Sequence, residues 1–452
     1  MAGRPRKQKV EQVVDENEII DDNPVAEAPA KVAYNVKSKF LMHAVSSIRT
    51  TEGPSAAALG GEQGSMLVGI ECPFAFQYLI QNSCFPLELM TQIVGTEGTC
   101  KSALVAEIGR WFSAQSGYLA LIENESKMSQ DWYDSIIGYP DETGDIGYML
   151  RRTHSVDNWQ TVIQHEVDRA KALMEKGDKA SKTPPLGKTF PVVVALDSIM
   201  GKLTEESQKK IETDGFAGRG FAIEALSITR FLKAFPQKFH NWPFAFVAVN
   251  HLKPQKAEGG FHTERNKAGG RHISFQESFE IEMSRDKGSK IRLVESDGKA
   301  LDRGGIRLII SCKKNSFGET DRPPVHVSVL WKYMWHEPTQ TQRQYTKWDW
   351  PSATIDILSS HTEGSRGAKI KEVVDVNKLT AGKYWSSTMG VSKESPVTKN
   401  ELGQMIEADS KIVSELRNLL AIKNRQLFKS GDDYDAILDK VKKEADARIS
   451  KL

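Results

Sequence analysis

Four short apolar runs, separated by stretches of helical periodicity, restrict the fold of this chain more than any other feature. "YLALIEN" (Tyr118 to Asn124), "FPVVVALD" (Phe190 to Asp197), "PFAFVAVN" (Pro243 to Asn250) and "IRLIISC" (Ile306 to Cys312) read as buried strands. The periodicity predicts helices between them, over Ser102 to Ser113, Asn158 to Glu175 and Phe221 to Phe235. Strands alternating with helices predict an α/β fold built on a mostly parallel, doubly wound sheet.

That core is expected over residues 89–335. Residues 1–35 are polar, basic at Arg4, Arg6, Lys7 and Lys9 and then acidic through Asp22, which predicts a disordered charged tail. Its "GRPRK" resembles part of an AT-hook, a minor-groove element, without the leading arginine, and a solvated tail is the preferred reading. Residues 36–88 form a small N-terminal region with a helix-like "SKFLMHAVSSI" and the apolar "PFAFQYLI". A Trp-rich connection follows the core over 336–395, and a helical C-terminal extension over 396–452 opens with a capping box at Thr398 and Glu401. The final "KVKKEADARISKL" reads as a solvated amphipathic helix, with a partner helix or a duplex-DNA gateway as the other readings.

Composition narrows the function classes. Hydrophobic residues make up 39% of the 452, charged ones 27%, and no apolar run is long enough to span a bilayer. No membrane partner is therefore expected. The opening "MAGRPRKQKV" lacks a secretory segment, which places the chain in the cytoplasm as an expectation. The four cysteines show no metal-ligand spacing. A net charge of +2 gives no global attraction to nucleic acid, so any such binding must come from local patches.

"IVGTEGTCKSAL" is the chemically informative stretch. Gly95, Thr96, Glu97, Gly98, Thr99, Cys100, Lys101 and Ser102 read as a phosphate-binding loop in which Cys100 replaces the usual glycine before the lysine, with an ordinary Gly/Thr turn before a helix as the other reading. Such a loop needs glycines so that backbone N–H groups can curl around phosphate oxygens, a lysine for the outer phosphates and a hydroxyl for magnesium. It follows the apolar "MTQIV" and opens an amphipathic helix, the context the motif requires. Cys100 is expected to keep a helical backbone, where no glycine is needed, and to have a lowered thiol pKa at the helix N-terminus. Asp197, at a strand end, is the candidate second acid for magnesium, and Glu125, just past "LIEN", the candidate for orienting a water.

The order of these elements resembles the RecA family of DNA recombinases, phage UvsX-type proteins most of all, from about Leu89 to Trp331. The resemblance implies a RecA-like P-loop ATPase core that binds ATP and Mg2+, with Ser102 and Asp197 at the metal. It makes Glu125 the catalytic glutamate, Trp132 the aromatic that stacks on adenine, and His251 in "FVAVNH" the γ-phosphate sensor. Lys314 in "RLIISCKKNSFG" takes the place of a lysine that reaches the neighbouring subunit's nucleotide, while Ser316 replaces a second such lysine. Two DNA-binding loops are implied. Thr204 to Gly220 offers Phe216 and Arg219, and Leu252 to Arg271 carries Lys253, Lys256, Phe261, Arg265, Lys267 and Arg271, a local charge of +3 on a flexible loop. Phe74, Phe76 or Leu79 would anchor one subunit to the next.

The implied activity is DNA-dependent ATP hydrolysis in a filament on single-stranded DNA that pairs with duplex DNA and exchanges strands, loaded by single-strand-binding and mediator proteins. Two alternatives stand beside it: a hexameric helicase on the same core, and a non-hydrolysing DNA-binding protein with a degenerate loop.

Overall fold

The computed structural model describes residues 68–449 apart from 126–127, 140–146, 154–155, 181, 200–219, 235, 257–262, 268–275, 297–298, 319, 321, 337–340 and 362–363. Its frame is a large mixed sheet whose strands are, in chain order, β3 (Met90–Gly95), β4 (Tyr118–Glu123), β5 (Tyr148–Arg152), β6 (Val192–Asp197), β7 (Phe244–Lys256), β8 (Thr263–Lys267), β9 (Phe279–Ser296), β10 (Lys299–Asn315), β11 (Val325–His336) and β12 (Thr341–Trp348). Two short strands, β1 (Val68–Ile70) and β2 (Phe85–Pro86), precede it. The spatial order is β12-β11-β10-β9-β3-β7-β6-β4-β5, with β8 paired only to β7. Strands β9, β3, β7, β6, β4 and β5 run parallel, and β8, β10, β11 and β12 are antiparallel to their neighbours. The sheet thus has a six-stranded parallel core with four antiparallel strands added to it, less uniform than the alternation of strand and helix predicts.

Both faces of the parallel core are covered, because alternate side chains of a strand point to opposite sides. Leu119 and Leu121 of β4, Val193 and Ala195 of β6, and Ala245, Val247 and Val249 of β7 pack on one side with α1 (Phe74–Ile80), α2 (Lys101–Ser113) and α3 (Gln130–Ile137). Their alternates Ala120, Ile122, Val194, Leu196, Phe244 and Phe246 face α4 (Val156–Lys176) and α5 (Gly220–Ala234), where Trp159, Ile163, Ile228 and Leu232 meet them. Near-continuous apolar runs are what two-sided burial requires.

Several expectations for the flanks change. Phe74, Phe76 and Leu79 are 2%, 0% and 1% exposed and belong to the chain's own core, so they are not anchors to another subunit. Every residue of α1 is buried, which its three aromatic residues, Phe74, Phe76 and Tyr78, and its lack of charge explain. The Trp-rich segment is structural: β12 extends the sheet, and Trp348 and Trp350 stack at 5.3 Å inside the core, against Phe76 and Trp111. The indoles of Trp111 and Trp350 both donate to the buried Glu107 carboxylate, at 3.1 and 3.0 Å, which accounts for an acid in this apolar setting.

The C-terminal part closes back on the N-terminal part. Helices α6 (Trp350–Ser360), α7 (Gly364–Val373), α8 (Lys399–Ala408), α9 (Ser410–Leu419) and α10 (Tyr434–Ile449) follow the sheet. The Thr398–Glu401 capping box is formed. Strand Gln426–Leu427 runs parallel to β1, and β1 pairs antiparallel with β2. In α10, Tyr434, Ile437 and Val441 are buried at helical spacing, so the helix packs on one face, while Lys443 and Glu444 are exposed.

Candidate nucleotide site

The site lies at the carboxyl ends of the adjacent parallel strands, the position at which open α/β sheets bind ligands. Strand β3 delivers the loop, β7 delivers His251 beside Gly95 in register, and β6 and β4 bring Asp197 and Glu123 level with each other. A cleft of about 360 Å³ opens there, lined by Glu97 to Ala103, Glu125, Met128, Trp132, Asp197, His251 and Arg285.

The loop folds on itself. Thr99 Oγ1 donates to the Thr96 carbonyl at 2.9 Å, and Lys101 Nζ donates to the same oxygen at 2.8 Å. Gly98 has φ +71°, open to glycine without strain. A Cβ on Gly95 would stand 2.5 Å from the Met283 carbonyl oxygen and 2.6 Å from Thr99 Oγ1, so only glycine fits where the loop leaves the sheet. Cys100 departs from expectation. Its φ and ψ are 60° and 31°, the left-handed region, so the position requires the conformation glycine adopts freely and a cysteine holds at about 1–2 kcal/mol. Its thiol is also not acidified. Burial raises its pKa, and Arg285 and Lys101 offset that only in part.

Behind the loop, Lys101 is 6% exposed, and burial lowers its pKa while Asp197, Glu125 and Glu97 pull it back up. Asp197 is 7% exposed, and burial pushes its carboxyl up to about 6 against the hydrogen bond from Ser102, with Glu125 adding to the rise. Ser102 and Asp197 therefore present two oxygen ligands side by side at the cleft floor. That donor set suits magnesium, which takes one or two protein oxygens plus phosphates and water. Among the described residues no group of three or more His, Cys, Asp or Glu could hold a metal by itself. A phosphate-bridged ion needs no such group.

Glu125 Oε1 accepts from Ser198 Oγ at 2.8 Å and stands 2.9 Å from His251 Nε2. Trp132 lines the cleft half-buried, edge-on to Tyr133 at 5.0 Å, whereas Tyr133 is fully buried and unable to reach a ligand. Lys314 is outside this cleft, and its ammonium donates to the Glu277 carbonyl at 2.6 Å within the same chain. Ser316 bonds the Ser278 carbonyl through its backbone N–H.

The second segment expected to contact DNA, Leu252 to Arg271, is not a continuous flexible loop over its described residues. Lys253 and Lys256 lie on β7, Arg265 and Lys267 on β8, and the two strands pair antiparallel from Leu252↔Lys267 to Lys256↔Thr263. "TERNK" carries no apolar alternation that would mark a strand, and the glycines concentrate outside it. Phe216, Arg219, Phe261 and Arg271 lie outside the described residues.

Three contributors escaped the sequence reading. Arg285, on β9, donates Nε to the Gly98 carbonyl at 2.6 Å. It sits 187 residues from its partner, and no local motif marks it. Glu123 is buried, accepts from the Met128 N–H at 3.2 Å and pairs with Arg152 at 3.4 Å. Asn124, fully buried between the two acids, donates to the Ser198 carbonyl at 2.7 Å. The run "IENE" carried a signal for these two, since polar residues ending an apolar strand are costly to bury without partners. No helix among the described residues is long and apolar enough to cross a membrane. The chain matches no protein-family model and no curated protein in sequence.

Proposed function

We propose that this chain is an ATP-dependent DNA recombinase of the RecA type, which coats single-stranded DNA as a filament and promotes pairing and strand exchange with a duplex. One observation carries the reading. His251 shares β7 with Lys253 and Lys256, contacts Glu125 on its nucleotide side, and leads directly into the basic β7–β8 hairpin. A single strand thus joins the hydrolytic acid to the cationic hairpin.

The chemistry follows from the groups present. Loop N–H groups and Lys101 would bind the phosphates, with Trp132 against the base. Ser102 and Asp197 would hold magnesium, which would supply charge neutralisation on the phosphates. Glu125 would accept a hydrogen bond from the attacking water and hold it in line, a role that requires its carboxylate to exchange the His251 contact for water. His251, released toward the γ-phosphate, would move the start of the hairpin with it. Lys314 would leave the Glu277 carbonyl to reach a neighbouring copy's nucleotide.

ATP turnover measured with and without single-stranded DNA tests the reading. Turnover stimulated at least tenfold by the strand is expected. Turnover that ignores DNA would remove the coupling, and no turnover at all would leave a binding protein.

A further inference from the structure

A second, larger cleft lies at the far end of α2 from the nucleotide loop. Its volume is about 580 Å³, between α1, the last turn of α2, and helices α8 and α9. The floor is apolar: Phe74, Trp111 and Val413 are 2%, 5% and 7% exposed. Size and lining are those of a small-molecule site. The polar groups on its rim decide which molecule it suits. Arg110 is neutralised by the buried Glu107, which takes two bonds from its guanidinium at 2.6 and 2.8 Å. Among the described residues neither Arg417 nor Lys429 is in an ion pair. The exposed acid Glu71 opposes one of them. Glu407 accepts from Thr354 Oγ1 at 2.6 Å and from the Phe74 N–H, and burial pushes its carboxyl up to about 7, with the Asp349 charge adding to the rise. It shares the cleft with Glu71, Arg110, Arg417 and Lys429 and is the group whose charge changes between pH 6 and pH 8. Two free cations less one exposed acid leave a single net positive charge at pH 6, and ionisation of Glu407 cancels it toward pH 8.

Arg417 is the oriented cation. Its Nε donates to Gln77 Oε1 at 2.9 Å, and Gln77, 3% exposed, donates Nε2 to the Cys72 carbonyl at 2.6 Å. This relay holds the guanidinium from behind and leaves its two Nη groups without a bond among the described residues, the edge that receives a carboxylate in a bidentate pair. Burial lowers the Arg417 pKa, so the cation is partly desolvated before any ligand arrives, and its attraction for an anion is correspondingly stronger than at an open surface. One net charge beside an apolar floor matches one carboxylate on a hydrocarbon body, not the several charges of a polyphosphate.

We propose that this cleft binds an amphipathic mono-anion, a single carboxylate on an aliphatic chain, with the carboxylate on Arg417 and Lys429 and the chain on the floor of Phe74, Trp111 and Val413. This inference does not depend on the nucleotide reading.

Isothermal titration calorimetry of the full-length, nucleotide-free protein with octanoate and with its neutral counterpart octanamide tests it. At pH 6 one octanoate per chain is expected, bound at least fivefold more tightly than octanamide, and at least threefold more weakly at pH 8, where Glu407 is charged. Glu407→Gln should bind octanoate equally at the two pH values. Arg417→Gln should hold octanoate and octanamide alike, and Lys429→Gln, at an exposed position, should shift the preference in the same direction with the fold intact. Ala114→Trp, also at an exposed position, fills the mouth of the cleft and should abolish binding without lowering the melting temperature. Equal affinities for the two ligands in wild type, octanoate binding that survives Ala114→Trp, or no binding at all would overturn the proposal. So would an Ala114→Trp protein of altered oligomeric state beside a wild type that ignores octanoate, since the cleft would then be a contact between copies.

Discussion

Glu125 Oε1 and His251 Nε2 stand 2.9 Å apart, although Glu125 lies just past β4 and His251 on β7, strands separated in the sheet by β6. Ser198, just past β6, bridges the gap by donating to the same carboxylate oxygen at 2.8 Å. One acid is thereby tied to both neighbouring strand ends, and the protein holds it in place before any ligand arrives.

Glu125→Gln keeps an oxygen that can accept from Ser198 but loses the charge that, in the proposed reaction, would orient water. Nucleotide and DNA binding should persist within about threefold, while turnover falls about 10²- to 10⁴-fold. Single-turnover hydrolysis with a parallel binding titration checks both. Wild-type turnover in the variant would take Glu125 out of the reaction.

Asp197 ties the site to stability. Its carboxyl keeps its proton to about pH 6 in the fold and to near 3.8 when exposed. Because the folded value is raised, the stability it contributes is present at low pH and is lost as pH rises from about 4 through 6, about 3 kcal/mol in order of magnitude. In nucleotide-free protein Asp197→Asn should therefore melt higher than wild type at pH 8, with the difference shrinking toward pH 4, while magnesium-dependent nucleotide binding is lost. A difference that does not vary with pH would show that Asp197 is not the group being ionised.

Cys100 makes a backbone prediction and a thiol prediction. Cys100→Gly should retain activity and hold or raise the melting temperature, by up to about 1 kcal/mol in stability, whereas Cys100→Val should destabilise, since a β-branched residue is a poor fit to a left-handed backbone. Burial of the sulfur predicts alkylation slower than that of an unfolded thiol at pH 7.5. Equal melting of the Gly and Val variants, or rapid alkylation, would contradict the local geometry.

The neighbours Trp132 and Tyr133 should separate cleanly. Trp132→Ala is expected to weaken nucleotide binding at least tenfold and remove a ligand-induced change in tryptophan emission, with little change in melting. Tyr133→Ala empties a fully buried site and should cost about 3–5 kcal/mol. Equal effects on melting would mean that Trp132 is a core residue.

The parallel core of the fold was legible because two-sided burial writes each strand as an unbroken apolar run, and strands β4, β6 and β7 start where "YLALIEN", "FPVVVALD" and "PFAFVAVN" do, give or take two residues. Strand β7 continues past its apolar part into "HLKPQK", where Leu252 to Lys256 pair with β8. The glycine-rich loop was legible as a motif, but the φ of Cys100 was not, since residue identity there argues against the conformation adopted. Arg285 and the packing of Phe74 and Phe76 depend on contacts between segments far apart in the chain, which no local pattern encodes.

The most direct test is the affinity for a fluorescent single-stranded oligonucleotide, measured by anisotropy at fixed salt with a non-hydrolysable ATP analogue and with ADP, in wild type and His251→Ala. If β7 couples the two sites, wild type binds at least tenfold more tightly with the ATP analogue, and the variant binds nucleotide yet holds the strand equally in both states. Equal affinities in wild type, or a preserved difference in His251→Ala, would contradict coupling through His251.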